Sequence, residues 1–258
     1  MTLDIILRTC DRANVHIDWR TRYCNLPKLN LIRGCVNSLL RSCNGNDNIN
    51  LIILDDHSSD QTLDFLNNIK SINTTIVSMT EYGYNYSAHQ QFLYCKNSQA
   101  DLVYSIEDDY LHYPTAINEM VNSFNLFEIK LEGKPIVLYP FDAPEEYDPP
   151  KFQCYVVHGS HRHWRTGLFT TNVLMTRPKL INDHWELFET LALKYNGDYT
   201  KPRTEHYEES NTIWNIWNRG DAIRFNPIPS LALHLQFDKQ IEPFINWQDW
   251  WGLYTSDL

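Results

Sequence analysis

The sequence predicts an α/β protein built on a mostly parallel, doubly wound sheet, with helices on both faces and a smaller second half. Two observations carry that expectation. Short β-branched runs alternate four times with segments of helical period up to residue 127, and such alternation closes into a parallel sheet. Three of those runs end on polar clusters, Arg8-Thr9-Cys10-Asp11-Arg12, Asp55-Asp56 and Glu107-Asp108-Asp109. Alternating βα units bring successive strand ends to one edge, where open α/β sheets bind ligands.

Residues 3–7 read as the first strand, and residues 13–26 show no period. Pro27 opens a helix in which Leu29, Ile32, Cys35, Val36, Leu39 and Leu40 recur at helical spacing, and Asn44-Gly45-Asn46 stops it. Residues 49–54 form a second buried strand. It runs into Asp55-Asp56, and Ser59 or Asp60 caps a short helix carrying Leu63, Phe65, Leu66 and Ile69. A third strand is expected over 74–79, a helix over 87–97 and a fourth strand over 102–106. Pro114 suits the first turn of a helix over 115–127.

After Gly133 the alternation loosens. Strands are expected over 136–139, 152–157, 168–175 and 231–235, and helices over 178–182, 185–193 and 208–217. Prolines and acids between Pro140 and Pro150 read as a mobile flap. No repeat or long linker interrupts the chain, so a single domain over residues 1–258 is expected.

Composition excludes some functions. A formal charge of −10 lacks the basic face that a nucleic-acid backbone requires, so no nucleic-acid partner is expected. The 15 Tyr, 11 Phe and 8 Trp serve either as core filler or as stacking surfaces for a ring-shaped ligand. The six cysteines form no C-x-x-C pair and read as reduced thiols. The N-terminus enters a strand without a basic and apolar leader, and no apolar run approaches ~20 residues. The expected location is cytoplasmic, without a transmembrane segment and with any membrane contact peripheral.

Glu107, Asp108 and Asp109 repel one another within one turn unless a cation, a hydroxyl or water relieves them. Taken alone they read as a solvated acidic turn or as a divalent-metal site. Convergence with Asp55-Asp56 and the Arg8-to-Arg12 loop favours the metal site.

Three segments together resemble the inverting, family 2 glycosyltransferases of the GT-A fold. They are Ile5-Ile6-Leu7-Arg8-Thr9-Cys10-Asp11-Arg12, Leu51-Ile52-Ile53-Leu54-Asp55-Asp56-His57-Ser58-Ser59-Asp60-Gln61-Thr62, and Glu107-Asp108-Asp109 ahead of Pro114. The third stands for the D-x-D element, with Glu107 replacing the first aspartate. The resemblance covers roughly the first half of the chain. It implies a GT-A, Rossmann-type sheet with a nucleotide-sugar half over 1–130 and an acceptor half over 131–258.

The same resemblance implies residue roles. Asp56 would meet the nucleotide base, and Thr9 and Arg12 would line its loop. Asp108 would stand near the ribose, and Glu107, Asp109 and His234 would hold Mn2+ or Mg2+. Glu209, with Glu208 beside it, would be the general base, and Asp142, Glu145 and Glu146 are second choices. The implied donor is a nucleotide-diphosphate sugar, most often a UDP-sugar, and the acceptor is a glycan, lipid-linked or protein hydroxyl. The chemistry asks for these residue types: a base removes the acceptor proton, and a divalent cation offsets charge on the departing diphosphate.

Plainer readings stand beside these. Asp55-Asp56 also suits a helix-capping turn, Glu208-Glu209 a helix's first turn, and His234 a satisfied core histidine. The stretch from His158 to Arg165 reads as a diphosphate or anionic-acceptor grip, a zinc pair of His161 and His163, or a solvated basic loop. Two other functions share the pattern, a sugar-phosphate nucleotidyltransferase and a non-catalytic carbohydrate-binding protein. The first is disfavoured because the Arg8-to-Arg12 loop has no glycine.

Overall fold

The computed structural model describes residues 1–12, 27–143, 153–168, 172–192, 211–235 and 245–255. The first half alternates as expected, β1 (Leu3–Thr9), α1 (Lys28–Ser42), β2 (Ile49–Asp55), α2 (Asp60–Asn67), β3 (Asn73–Ser78), α3 (Tyr84–Asn97) and β4 (Leu102–Glu107), with an additional short strand β5 (Tyr110–His112), in what reads as a loop, before α4 (Ala116–Lys130). The second half adds β6 (Ile136–Leu138), β7 (Val156–His158), β8 (His163–Thr166), β9 (Leu174–Thr176), α5 (Pro178–Asp183), α6 (Trp185–Ala192), α7 (Trp214–Asn218), β10 (Ile223–Ile228), β11 (Ala232–His234) and α8 (Trp247–Thr255).

The main sheet runs β3-β2-β1-β4-β9-β6-β10-β8-β7, and β5 pairs with β11 in a separate two-stranded sheet. β3, β2, β1 and β4 are mutually parallel, while β9 enters antiparallel beside β4. Side chains alternate along a strand, and here both faces are apolar. On β1, Leu3, Ile5 and Leu7 join one core, and Ile6 joins the other. On β4, Leu102, Tyr104 and Ile106 face the first core, and Val103 faces the second. A sheet apolar on both faces must be covered on both. Leu31 and Val36 of α1 and Phe124 of α4 cover one, while Phe92 of α3 and Phe188 of α6 cover the other.

One buried polar group ties strands to helix near the functional edge. The Gln91 amide on α3 donates to the Ile6 carbonyl (2.9 Å) and the Ile106 carbonyl (2.8 Å), and so bridges β1 and β4. Among the described residues no helix is long and apolar enough to cross a membrane.

Several second-half elements differ from expectation. Among the described residues, the strand expected over 152–157 is confined to Val156–His158, and the one over 168–175 to Leu174–Thr176. The helix expected over 208–217 is described only as Trp214–Asn218. β10 was not expected, because Pro227 breaks the strand pattern. The proline is tolerated where pairing with β6 has already stopped at Phe225.

Candidate active site

Register brings the polar strand ends level. Thr9 pairs with Asp55 across β1 and β2, and Arg8 pairs with Glu107 across β1 and β4. The Asp108 carboxylate, 7% exposed, gathers the loop that follows β1. Its Oδ2 accepts from the Thr9 hydroxyl (2.9 Å) and the Cys10 amide (3.0 Å), and its Oδ1 accepts from Lys28 Nζ (2.5 Å). Lys28 was not anticipated. The available signal was a lysine as the first residue of a helix, where the dipole disfavours a cation; Asp108 offsets that cost.

Glu107 is engaged at its base. Arg8 Nη2 donates to Glu107 Oε1, and its Nη1 donates to the Tyr84 carbonyl (3.2 Å) and the Ser87 hydroxyl (3.3 Å). The guanidinium also lies over the Tyr84 ring, 4.3 Å from its centroid. Burial works against the Arg8 charge, but Glu107 and Tyr84 outweigh it and hold the guanidinium firmly protonated.

Asp56 and Asp55 divide their work. Asp56 Oδ2 accepts from the Gly83 amide (3.0 Å), and its Oδ1 accepts from Arg12 Nη2 (2.7 Å) and lies 3.1 Å from His57 Nδ1. Gly83 stands at φ 109°, a conformation that side chains rarely adopt, and this aims its N–H at the carboxylate. Tyr82 stacks on His57 at 3.7 Å, with Arg12 4.5 Å from its ring centroid. Asp55 instead closes the turn by accepting from the Ser58 amide (3.1 Å), and its burial pushes its carboxyl up. Asp11 grips the start of α2: burial opposes its ionisation, but hydrogen bonds from Ser59 and Thr62 prevail and hold its carboxyl below the usual range. Ser59 stands at the N-cap position of α2 without a side-chain cap hydrogen bond, and the Asp55 carboxylate bonds the turn before it.

The short β5–β11 ladder delivers the histidine. His234 pairs with Tyr110, and the Leu235 amide donates to the Asp109 carbonyl (2.8 Å). His234 Nε2 then lies 3.6 Å from Asp109 Oδ2, with its ring stacked on Tyr110. One ligand atom each from Glu107, Asp109 and His234 falls within 4.8 Å of the others. Two carboxylates and an imidazole in that span fit a divalent cation such as Mn2+.

Other candidates lie elsewhere. The stretch from His158 to Arg165 is a hairpin of β7 and β8 at the far edge of the sheet, not a loop over the acidic cluster. His161 Nδ1 lies 3.0 Å from Glu119 Oε2, and Arg162 donates to the carbonyls of Pro229 (2.7 Å) and Ser230 (3.0 Å). Trp164 is fully buried. Asp142, a second choice for the base, is 3% exposed and accepts from Arg165 Nε (2.7 Å). Glu208, Glu209, Glu145 and Glu146 lie outside the described residues.

Residues 24–128 match the model for glycosyl transferase family 2. Over that segment the chain is similar to the family 2 glycosyltransferases. That segment contains α1, Asp56 and the acidic cluster described above. A search of curated proteins finds no match. Among solved structures, TarS of S. aureus is 13% identical at a TM-score of 0.52, over 88% of this chain and 36% of that one. The glycosyltransferase GlyE of Streptococcus pneumoniae TIGR4 is 11% identical at a TM-score of 0.51, over 98% of this chain and 60% of that one. These likenesses show the fold, a mixed α/β architecture of the GT-A kind. The chain spans about a third of the TarS structure and three fifths of the GlyE structure.

Proposed function

We propose that this chain is a metal-dependent, inverting glycosyltransferase that moves a sugar from a nucleotide-diphosphate sugar to an acceptor hydroxyl. The observation that carries the reading is convergence: Asp56, Asp108 and the Glu107, Asp109, His234 cluster meet at the carboxyl edge of one sheet. The family 2 match over residues 24–128 supports it independently.

In this reading Asp56 and Thr9 serve the nucleoside, Arg12 lines its loop, and Asp108 orders the loop beside the ribose. Glu107, Asp109 and His234 would hold a divalent cation, whose positive charge would offset the charge on the departing diphosphate. Glu209, or its neighbour Glu208, removes the acceptor proton as the acceptor oxygen bonds to the anomeric carbon from the face opposite the diphosphate. The C1–O bond to the diphosphate breaks with its electrons leaving on the phosphate. UDP-sugars are the first donors to test. The acceptor is a glycan, a lipid-linked sugar or a protein, and the reading places the reaction in the cytoplasm.

The test is a thermal-shift screen of UDP-, GDP- and dTDP-sugars with and without Mn2+. The expected result is stabilisation by donors of one nucleotide, larger with the metal. No shift with any of them would reject the donor reading.

A further inference from the structure

We propose that the Arg12 guanidinium sits in the seat of the donor's base and competes with it for Asp56. The inference rests on the donor reading above, and it concerns how that site is reached.

The Asp56 side chain is 5% exposed, so the groups on it are selected by geometry rather than by solvent. Arg12 meets it edge-on: Nη2 donates to Oδ1 (2.7 Å) and to the backbone carbonyl (2.8 Å), and Nε donates to the same carbonyl (3.1 Å). The guanidinium carbon at the same time lies over the Tyr82 ring, which also stacks with His57. The seat therefore takes a planar group with N–H donors on its edge and a π surface on its face. A nucleobase with a ring or amino N–H meets both requirements. Planarity, edge donors and stacking are the properties that a guanidinium and such a base share.

Both cannot use Asp56 Oδ1 and the Tyr82 face together. The Arg12 side chain is 39% exposed, so its pair with Asp56 is weak enough to be displaced. Occupancy of the seat by Arg12 then lowers apparent base affinity in proportion to the fraction of time the seat is open. Tyr82, on the loop between β3 and α3, is 66% exposed and becomes the base-stacking residue once the guanidinium swings away.

The experiment measures binding of uridine and guanosine, which lack phosphate, to the wild-type chain, Arg12→Ala and Arg12→Lys. Omitting phosphate keeps attraction between Arg12 and the diphosphate out of the readout. Arg12→Ala should tighten binding of one nucleoside by about fivefold, and Arg12→Lys by less. As a second readout, added salt should tighten nucleoside binding to the wild type and leave Arg12→Ala unmoved. Equal or weaker nucleoside binding by Arg12→Ala would overturn the inference. UDP and GDP are run in parallel: if they bind while Arg12→Ala shows no gain for either nucleoside, the competition alone is rejected. Failure of every variant to bind any nucleotide rejects the donor reading and the competition together.

Discussion

His234 Nε2 stands 3.6 Å from Asp109 Oδ2, although the two residues come from opposite halves of the chain. The β5–β11 ladder makes the approach, and the Tyr110 ring, nearly parallel to the imidazole at 9°, holds its orientation. A carboxylate and a histidine so placed form two corners of a cation site, with Glu107 at the third.

Asp109→Ala should therefore abolish the metal-dependent part of nucleotide binding. The expected loss is on the order of 100-fold in Mn2+-supported affinity, since even groups that merely support a ligand are worth about 10–100-fold. His234→Ala should cost less than Asp109→Ala. Calorimetric titration of UDP or GDP with and without Mn2+ checks both. An Asp109→Ala protein with an unchanged Mn2+ dependence would move the metal elsewhere.

Glu107 should behave differently, because it also neutralises a mostly buried Arg8. Removing one partner of such a pair strands a charge and costs about 3–5 kcal/mol. Urea denaturation should show Glu107→Ala to be much less stable than Asp109→Ala, and Arg8→Met added to Glu107→Ala should recover part of the loss. Equal stabilities for Glu107→Ala and the wild type would remove the ion pair from the account.

His112 sets an acid limit on the fold. Burial among Tyr104, Tyr110 and Ser38 lowers its pKa from 6.5 to about 3, so the folded protein keeps it neutral. Between those values the unfolded chain binds a proton that the folded chain refuses. Stability from this residue is complete above about pH 6.5 and falls as pH drops toward 3, at no more than about 1.4 kcal/mol per pH unit. Denaturant midpoints at pH 7 and pH 5 for the wild type and His112→Asn provide the check. The variant should be less stable at pH 7 and show a shallower fall.

Asp142 and Glu209 should separate structure from chemistry. Asp142→Ala breaks a buried pair with Arg165 and should cost about 3–5 kcal/mol in stability, with turnover per folded molecule retained. Glu209→Gln should melt like the wild type, bind donor normally and lose sugar transfer. Melting curves beside a transfer assay distinguish the two. Transfer by Glu209→Gln at the wild-type rate would place the base on another residue.

Much of the first half was legible because its signals are local. Apolar runs closing on Thr9, Asp55 and Glu107 marked the strands, and Pro27, Ser59 and Pro114 sat where helices begin. Hairpins of the second half were harder to read. Side-chain period weakens in three-residue strands such as β7 and β9, and Pro227 hid β10. Tyr82 was invisible as a site residue, since a tyrosine in a loop carries no pattern of its own, and Lys28 signalled only through its place at a helix start.

By itself the sequence determined that a sheet covered on both faces would carry its acids to one edge, because strand alternation and helix period are short-range properties of the chain. Only the tertiary structure decided which carboxylate does what. Asp56, Asp108, Asp109 and Asp142 are chemically alike, and long-range packing alone sets Arg12 on the first, Lys28 on the second, His234 near the third and Arg165 on the fourth. A carboxylate's role follows from the charge and burial around it, and those are supplied by residues far away in sequence.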